Sequence, residues 1–230
     1  AGTGQKAHGR LRPGSLAETA LRSPWALVAD QDMLLIAMAG SHQLWVLLQE
    51  QQLGLFAGNG YEALADGPLL EASFNQPSDI AVGLGHLLVA DAEASAIRAV
   101  SFGEDAKVIT LVGQGLFDFG DVDGFGGQVR LQHPTGLAFD GGLLYIADSY
   151  NNKIKTLDPT TGEVKSLIGT GQAGHVDGPY EQAELFEPEG VVASNGFLYI
   201  ADTNNHSIRL ADLKEATIVT LQLADLVYHS

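Results

Sequence analysis

Leu144-Tyr145-Ile146-Ala147-Asp148 recurs as Leu198-Tyr199-Ile200-Ala201-Asp202, and a looser copy stands at Leu87-Leu88-Val89-Ala90-Asp91. Each is a short β-branched and aromatic run that ends on a turn-forming residue, which predicts a strand entering a turn. A fourth, weaker copy is Leu35-Ile36-Ala37-Met38, where the Asp is missing. Six residues past the last residue of each run stands an apolar residue: Leu44, Ile97, Ile154 and Ile208.

Working outward, each run follows a proline and a shorter apolar stretch. The prolines are Pro24, Pro77, Pro134 and Pro188, spaced by 53, 57 and 54 residues. Asp140-Gly141-Gly142 and Ser194-Asn195-Gly196 supply tight hairpin turns between the two runs. A final strand in three of the units ends in paired glycines, as in Phe56-Ala57-Gly58-Asn59-Gly60 and Leu167-Ile168-Gly169-Thr170-Gly171. Alternation such as Val164-Lys165-Ser166-Leu167 fits a half-buried strand. Four strands in about 55 residues, repeated, describe a β-propeller blade. The predicted fold is all-β: a propeller of four-stranded antiparallel blades, with blade 1 at 24–76, blade 2 at 77–133, blade 3 at 134–187 and blade 4 at 188–223. Residues 1–23 are read as the remnant of a preceding outer strand plus a linker, and 224–230 as a tail.

The composition narrows function by exclusion. Of the 230 residues, 12 are Lys or Arg and 28 are Asp or Glu, a formal net charge of −16. That charge disfavours nucleic acid and anionic membranes as partners. With no cysteine, thiol catalysis, thiolate metal sites and disulfides have no residues in this chain. The longest charge-free run, Met33 to Gln49, is interrupted by Gly40-Ser41-His42-Gln43 and does not read as a membrane span. No basic segment followed by an apolar stretch opens the chain, so a signal peptide is absent or already removed. The compartment stays open between cytoplasm and periplasm or lumen.

The motif Pro134-Thr135-Gly136-Leu137-Ala138-Phe139-Asp140, followed by Tyr145-Ile146-Ala147-Asp148-Ser149-Tyr150-Asn151-Asn152-Lys153-Ile154, resembles the NHL family of β-propellers. Tyr199-Ile200-Ala201-Asp202-Thr203-Asn204-Asn205-His206-Ser207-Ile208-Arg209 matches the same pattern. The long period and the inserts Asp66-Gly67, Asp123-Gly124 and Asp177-Gly178 are similar to a subgroup in which the propeller follows a thioredoxin-like domain. The resemblance implies a six-bladed ring, of which four repeats are present here, and a non-catalytic scaffold that binds a protein or peptide. It also leaves open a metal-dependent propeller lyase or hydrolase with its site in the central channel.

Site expectations follow from residue types. Asp91, Asp148 and Asp202 are read as turn-structuring carboxylates that accept N–H groups two or three residues on. Asn151, Asn152, Asn204 and Asn205 supply the left-handed conformations of the same turns. Asp66, Asp123 and Asp177, with Asp118 and Asp121, are read as an acidic binding rim facing a basic partner. The register of an EF-hand would put its first ligand on Phe119 and Arg130 at the closing position, so no calcium loop is expected there. No pair of the seven histidines has metal-ligand spacing on a helix, and His42, His133, His175 and His206 fall in turns or run-ins, so no metal and no cofactor is expected. Trp25 and Trp45 are expected in the core. An arc of four blades leaves apolar end faces, so self-association through them is expected.

Overall fold

The structure is a computed structural model, and it describes residues 2–5, 19–48 and 52–222. The expected strand remnant at 1–4 lies partly, and the tail at 224–230 wholly, outside the described residues.

Blade 1 comprises β1 (Pro24–Asp30), β2 (Met33–Met38), β3 (Gln43–Leu48) and β4 (Gln52–Ala57). A two-residue strand, β5 (Gly67–Pro68), comes next. Blade 2 follows as β6 (Pro77–Gly83), β7 (His86–Asp91), β8 (Ala96–Ser101) and β9 (Lys107–Val112), then the short β10 (Gly124–Phe125). Blade 3 is β11 (Pro134–Asp140), β12 (Leu143–Asp148), β13 (Lys153–Asp158) and β14 (Glu163–Ile168), then the short β15 (Gly178–Pro179). Blade 4 is β16 (Pro188–Ser194), β17 (Phe197–Asp202), β18 (Ser207–Asp212) and β19 (Thr217–Thr220). Within each blade the four strands pair antiparallel in chain order. β5, β10 and β15 pair with β9, β14 and β19, the outermost strands of the blades that follow them. The Asp-Gly inserts therefore connect blades and also add a fifth short strand to blades 2, 3 and 4.

Local chemistry sets these boundaries. Proline fixes φ and lacks an N–H, and each blade begins on one. The residue before it, Ser23, Gln76, His133 or Glu187, takes φ of 49, 68, 54 and 46. A register shift follows each proline, so the residue after it bulges. The turn between first and second strands is a left-handed pair at Leu84-Gly85, Gly141-Gly142 and Asn195-Gly196, the backbone a two-residue hairpin requires.

Blade strands alternate at period two and bury both faces. Leu87 and Val89 point toward blade 1, where they meet Leu35, Leu44 and Phe74. Leu88 and Ala90 point the other way, meeting Leu137, Leu144 and Ile146 of blade 3. Tyr145, Ala147 and Ile154 pack against Leu198 and Ile200 of blade 4. Each fully buried Leu or Ile contributes at most about 1.5–3 kcal/mol, so the interfaces between blades are the main source of stability. The inner strands stand side by side, β1 by β6, β6 by β11, and β11 by β16. Among the described residues, β16 and β1 do not share that packing. On blade 4, Val192, Tyr199 and Ile208 occupy the positions of buried Ala138, Tyr145 and Ile154, yet all three are exposed. The tryptophans divide: Trp45 is buried as expected, whereas Trp25 on β1 is 54% exposed, because it lies on the first inner strand with no described blade beside it.

Candidate functional site

One arrangement of charge recurs in blades 2, 3 and 4. The second strand ends on Asp91, Asp148 or Asp202 and gives way to a one-turn 3-10 helix. These three carboxylates are fully buried. One oxygen accepts an N–H from the run-in to the same blade: Asn75 at 2.6 Å, Gln132 at 2.7 Å and Phe186 at 2.7 Å. The sequence suggested acceptance from N–H groups just downstream. The donor instead lies 16 residues upstream, so the bond ties the run-in to the turn.

The other oxygen faces a fully buried cation seven residues on. Arg98 lies 3.0 Å from Asp91, Arg209 lies 2.7 Å from Asp202, and Lys155 Nζ lies 3.5 Å from Asp148. The same cations reach outward to the Asp-Gly inserts, at 3.0 Å for Asp66, 3.1 Å for Asp123 and 2.8 Å for Asp177. Those half-exposed carboxylates also accept the N–H and hydroxyl of Thr110, Ser166 or Thr220 on the outermost strand. Each clamp thus runs from the inner turn to the outer strand along one end of its blade.

Asparagines extend the clamp. Asn151 Nδ2 donates to Asp148 and to the Gly120 carbonyl, and Asn205 Nδ2 to Asp202 and the Gly174 carbonyl. Asn152 takes φ 53, with Nδ2 donating to the Gly171 carbonyl and Oδ1 accepting from Glu187 N–H. Asn151, Asn204 and Asn205 lie in the 3-10 turns rather than left-handed, His206 taking the left-handed place in blade 4, and Asn204 donates to Glu187. The remaining rim residues are likewise paired: Asp118 with Arg130 at 2.6 Å, and Asp121 with Lys153 at 2.5 Å and Lys155 at 2.6 Å.

The titration directions follow from these contacts. Burial pushes Asp91 and Asp148 up to about 6, against the opposing pull of Arg98 and Lys155. For Asp66 and Asp177 burial acts upward, but the Thr110 or Thr220 N–H and hydroxyl and the guanidinium outweigh it and hold them below the usual range. Asp121 is lowered too, with burial overcome by Lys153 and Lys155. Lys155 is raised: burial opposes, and Asp148, Asp121 and Asp123 prevail.

Blade 1 carries the same backbone without the charges. Met38 stands where the Asp stands and Trp45 where the cation stands, both buried. On the inner strands a separate carboxylate, Asp79, accepts the Leu137 N–H at 2.7 Å across the joint to blade 3, and burial raises it to about 6. Among the described residues, no three His, Asp or Glu side chains gather at metal-holding distance.

Beside the half-exposed carboxylates, the loops present apolar side chains outward. Phe117 is 93% exposed and Tyr61 is 76% exposed, with Phe119 also exposed. The loop carrying the two phenylalanines is pinned beneath them by Asp118–Arg130, by the Gly120 N–H to the Leu131 carbonyl and by Asn151. Leu64, on the loop of Tyr61, lies beside Gly115 on the next loop. Tyr150, also exposed, stacks on His133 with centroids 4.5 Å apart.

Repeated four-stranded antiparallel blades define a β-propeller, with the same Asp-centred turn in three of them. The family model described as NHL repeat matches residues 131–157 and 187–209, in blades 3 and 4. The chain is homologous to NHL repeat-containing protein 2 of Homo sapiens, at 39% identity over 238 residues, covering 88% of this chain and 33% of that protein. It is likewise 42% identical over 219 residues to Protein SUPPRESSOR OF QUENCHING 1, chloroplastic, of Arabidopsis thaliana, covering 88% of this chain and 21% of that one. The chain thus spans between a fifth and a third of these relatives. In fold it is similar to an auxiliary nutrient binding protein from Bacteroides ovatus, with a TM-score of 0.67 at 18% identity over 90% of this chain and 50% of that one. It is also similar to the WD40 repeats of RRP9, with a TM-score of 0.57 at 16% identity over 90% and 53%.

Proposed function

We propose that the chain is a rigid, non-catalytic scaffold that binds a protein or peptide on the face formed by its inter-blade loops. The carrying observation is the division of labour on that face. Asp66, Asp123 and Asp177 are tied into the blades by buried cations, so the loops are fixed in place, and Tyr61, Phe117 and Phe119 project from them into solvent. Aromatic side chains on a preorganised frame bind with little ordering cost. The net charge of −16 favours a basic partner.

The chain is an arc of a larger, six-bladed propeller within a protein that also carries a thioredoxin-like domain. The apolar outer face of blade 4 supports this, because it repeats the residues that blades 2 and 3 bury. The length of the relatives supports it too. In isolation the same face favours self-association.

The test is site-specific photo-crosslinking in cells. A benzoylphenylalanine at Phe117 is expected to give protein adducts whose yield falls with added salt. The same probe at Leu84, on the hairpin at the other end of blade 2, is expected to give none. Adducts at neither position, or equally at both, would refute the reading.

A further inference from the structure

Each joint between described blades carries the same latch. The residue that closes the 3-10 turn, His42, Ser95 or Asn152, sits left-handed at φ 55, 48 and 53. From there its side chain crosses the joint to the N–H of the residue preceding the next blade's proline. Gln76 N–H donates to His42 Nδ1 at 3.2 Å, His133 N–H to Ser95 Oγ at 3.3 Å, and Glu187 N–H to Asn152 Oδ1 at 2.9 Å.

The three acceptors differ in one chemical respect. Hydroxyl and amide oxygens keep their lone pairs at any physiological pH. An imidazole nitrogen accepts only while unprotonated. Acceptance at Nδ1 requires a neutral ring with its proton on Nε2. A second proton would place an N–H on Nδ1, facing the N–H of Gln76, and the bond would become a repulsion. The geometry points to the joint between blades 1 and 2 as a proton-sensitive hinge, closed by neutral His42 and released by its protonation.

The end of β4 is tied to the blade 2 run-in by the Gly58 and Asn59 N–H groups and by Asn59 Nδ2, but the inner strands of this joint lack the polar bonds of the other two. Between blades 2 and 3, Ser78 Oγ donates to the Pro134 carbonyl and Asp79 accepts from Leu137. Between blades 3 and 4, Ser149 Oγ donates to the Pro188 carbonyl and Thr135 Oγ1 to that of Glu189. Trp25 and Ala26 stand at the positions of Ser78 and Asp79 and offer no such bond. Among the described residues of the strands and turn of blade 1, His42 alone hydrogen-bonds through its side chain to the run-in or strands of blade 2.

The surroundings keep the latch shut near neutrality. Burial lowers the His42 pKa from its ordinary 6.5, Glu62 on the loop after β4 works against this, and Arg22 ahead of β1 works with it. A histidine whose folded pKa is lowered contributes stability above pH 6.5 and loses it as pH falls through the folded value.

Hydrogen exchange on the full chain, corrected for intrinsic rates, tests the hinge. Between pH 7.5 and 5.5, protection of Gln76 and of blade 1 is expected to fall about fivefold, the loss of one partly buried hydrogen bond, while Glu187 keeps its protection. His42→Asn, which copies the Asn152 latch, is expected to abolish the fall. Asn152→His is expected to transfer it to Glu187 and blade 4. A fall that survives in H42N, or one shared equally by all joints, overturns the proposal. Should H42N fail to fold, N152H decides: no new pH dependence at Glu187 overturns it.

Discussion

Replacing Lys155 by methionine removes the cation at the centre of the blade 3 clamp and leaves everything around it in place. The Lys155 ammonium and the Asp148 carboxylate are both fully buried. Asp121 and Asp123 are partly exposed, and each keeps another partner, Lys153 or Ser166. Their loss is therefore small, about 0–1 kcal/mol. Asp148 keeps only Gln132 N–H and Asn151 Nδ2, and a buried charge stripped of its counter-ion costs about 3–5 kcal/mol. Lys155→Met is expected to lose about that much in urea unfolding. The double variant Asp148→Asn/Lys155→Met holds no buried charge and keeps an oxygen for Gln132. It is expected within about 1–2 kcal/mol of the parent, a coupling of at least about 2 kcal/mol. Met38 and Trp45 in blade 1 are the natural precedent. The pH dependence adds a second check. Asp148 already stands near 6 and rises further without Lys155. An acid whose folded pKa is raised destabilises increasingly as pH climbs from its unfolded value toward the folded one. The deficit of K155M should shrink between pH 7.5 and 5. A deficit under about 1 kcal/mol, a double variant as weak as the summed singles, or a pH-independent deficit would refute the clamp as a buried-charge device.

Asp202→Ala leaves Arg209 with Asp177 as its one carboxylate, beside the Glu184 and Val176 carbonyls, and is expected to cost about 3 kcal/mol in thermal melts while sparing partner binding; lost binding at unchanged stability would point the other way. Gly136→Ala would drive a methyl group into the Glu189 carbonyl of β16, whereas Gly190→Ala meets only Ala201 Cβ at 3.4 Å, so the first should lose about 1–3 kcal/mol and the second stay near neutral. Because Asp66, Asp121 and Asp177 are held low, their contribution is present above the ordinary carboxylate value of about 3.8 and lost as pH falls below it; Asp177→Asn should flatten that acid limb in circular dichroism. Partner binding should weaken as salt rises from about 50 to about 500 mM, since screening shortens the reach of the net −16 charge; salt-insensitive binding would count against a basic partner.

The strands were legible because a blade buries both faces and repeats at a fixed period, and both leave a mark in the order of residues. The second strand of each unit, such as Leu198 to Asp202, shows it most plainly. The clamp was half legible. The three Asp residues stood out, but their partners Arg98, Lys155 and Arg209 follow an apolar residue and look like ordinary solvent-facing positions of a strand. The signal was there: only 12 basic residues exist, three share one phase of the repeat, and the unit without the Asp also lacks the cation. The Asp-Gly carboxylates were assigned outward because they sit in loops. What ties them to the blades, half-exposed as they are, is a pairing of β5, β10 and β15 with strands some 40 residues later, a contact no local pattern encodes. The latch residues His42, Ser95 and Asn152 share a backbone conformation and no side-chain chemistry, so sequence comparison between units hides them.

The two-residue strands have a consequence for how the chain is made. A sheet's last strand exposes a row of unpaired N–H and C=O groups, a template for unwanted association with another molecule. In blades 2, 3 and 4 part of that row on β9, β14 and β19 is covered by residues that precede the whole blade in the chain. A ribosome working from the amino end therefore delivers the cover before the edge it protects. Each new blade emerges with its guard already synthesised, and an unfinished propeller passes through the crowded interior of a cell with its finished edges partly closed.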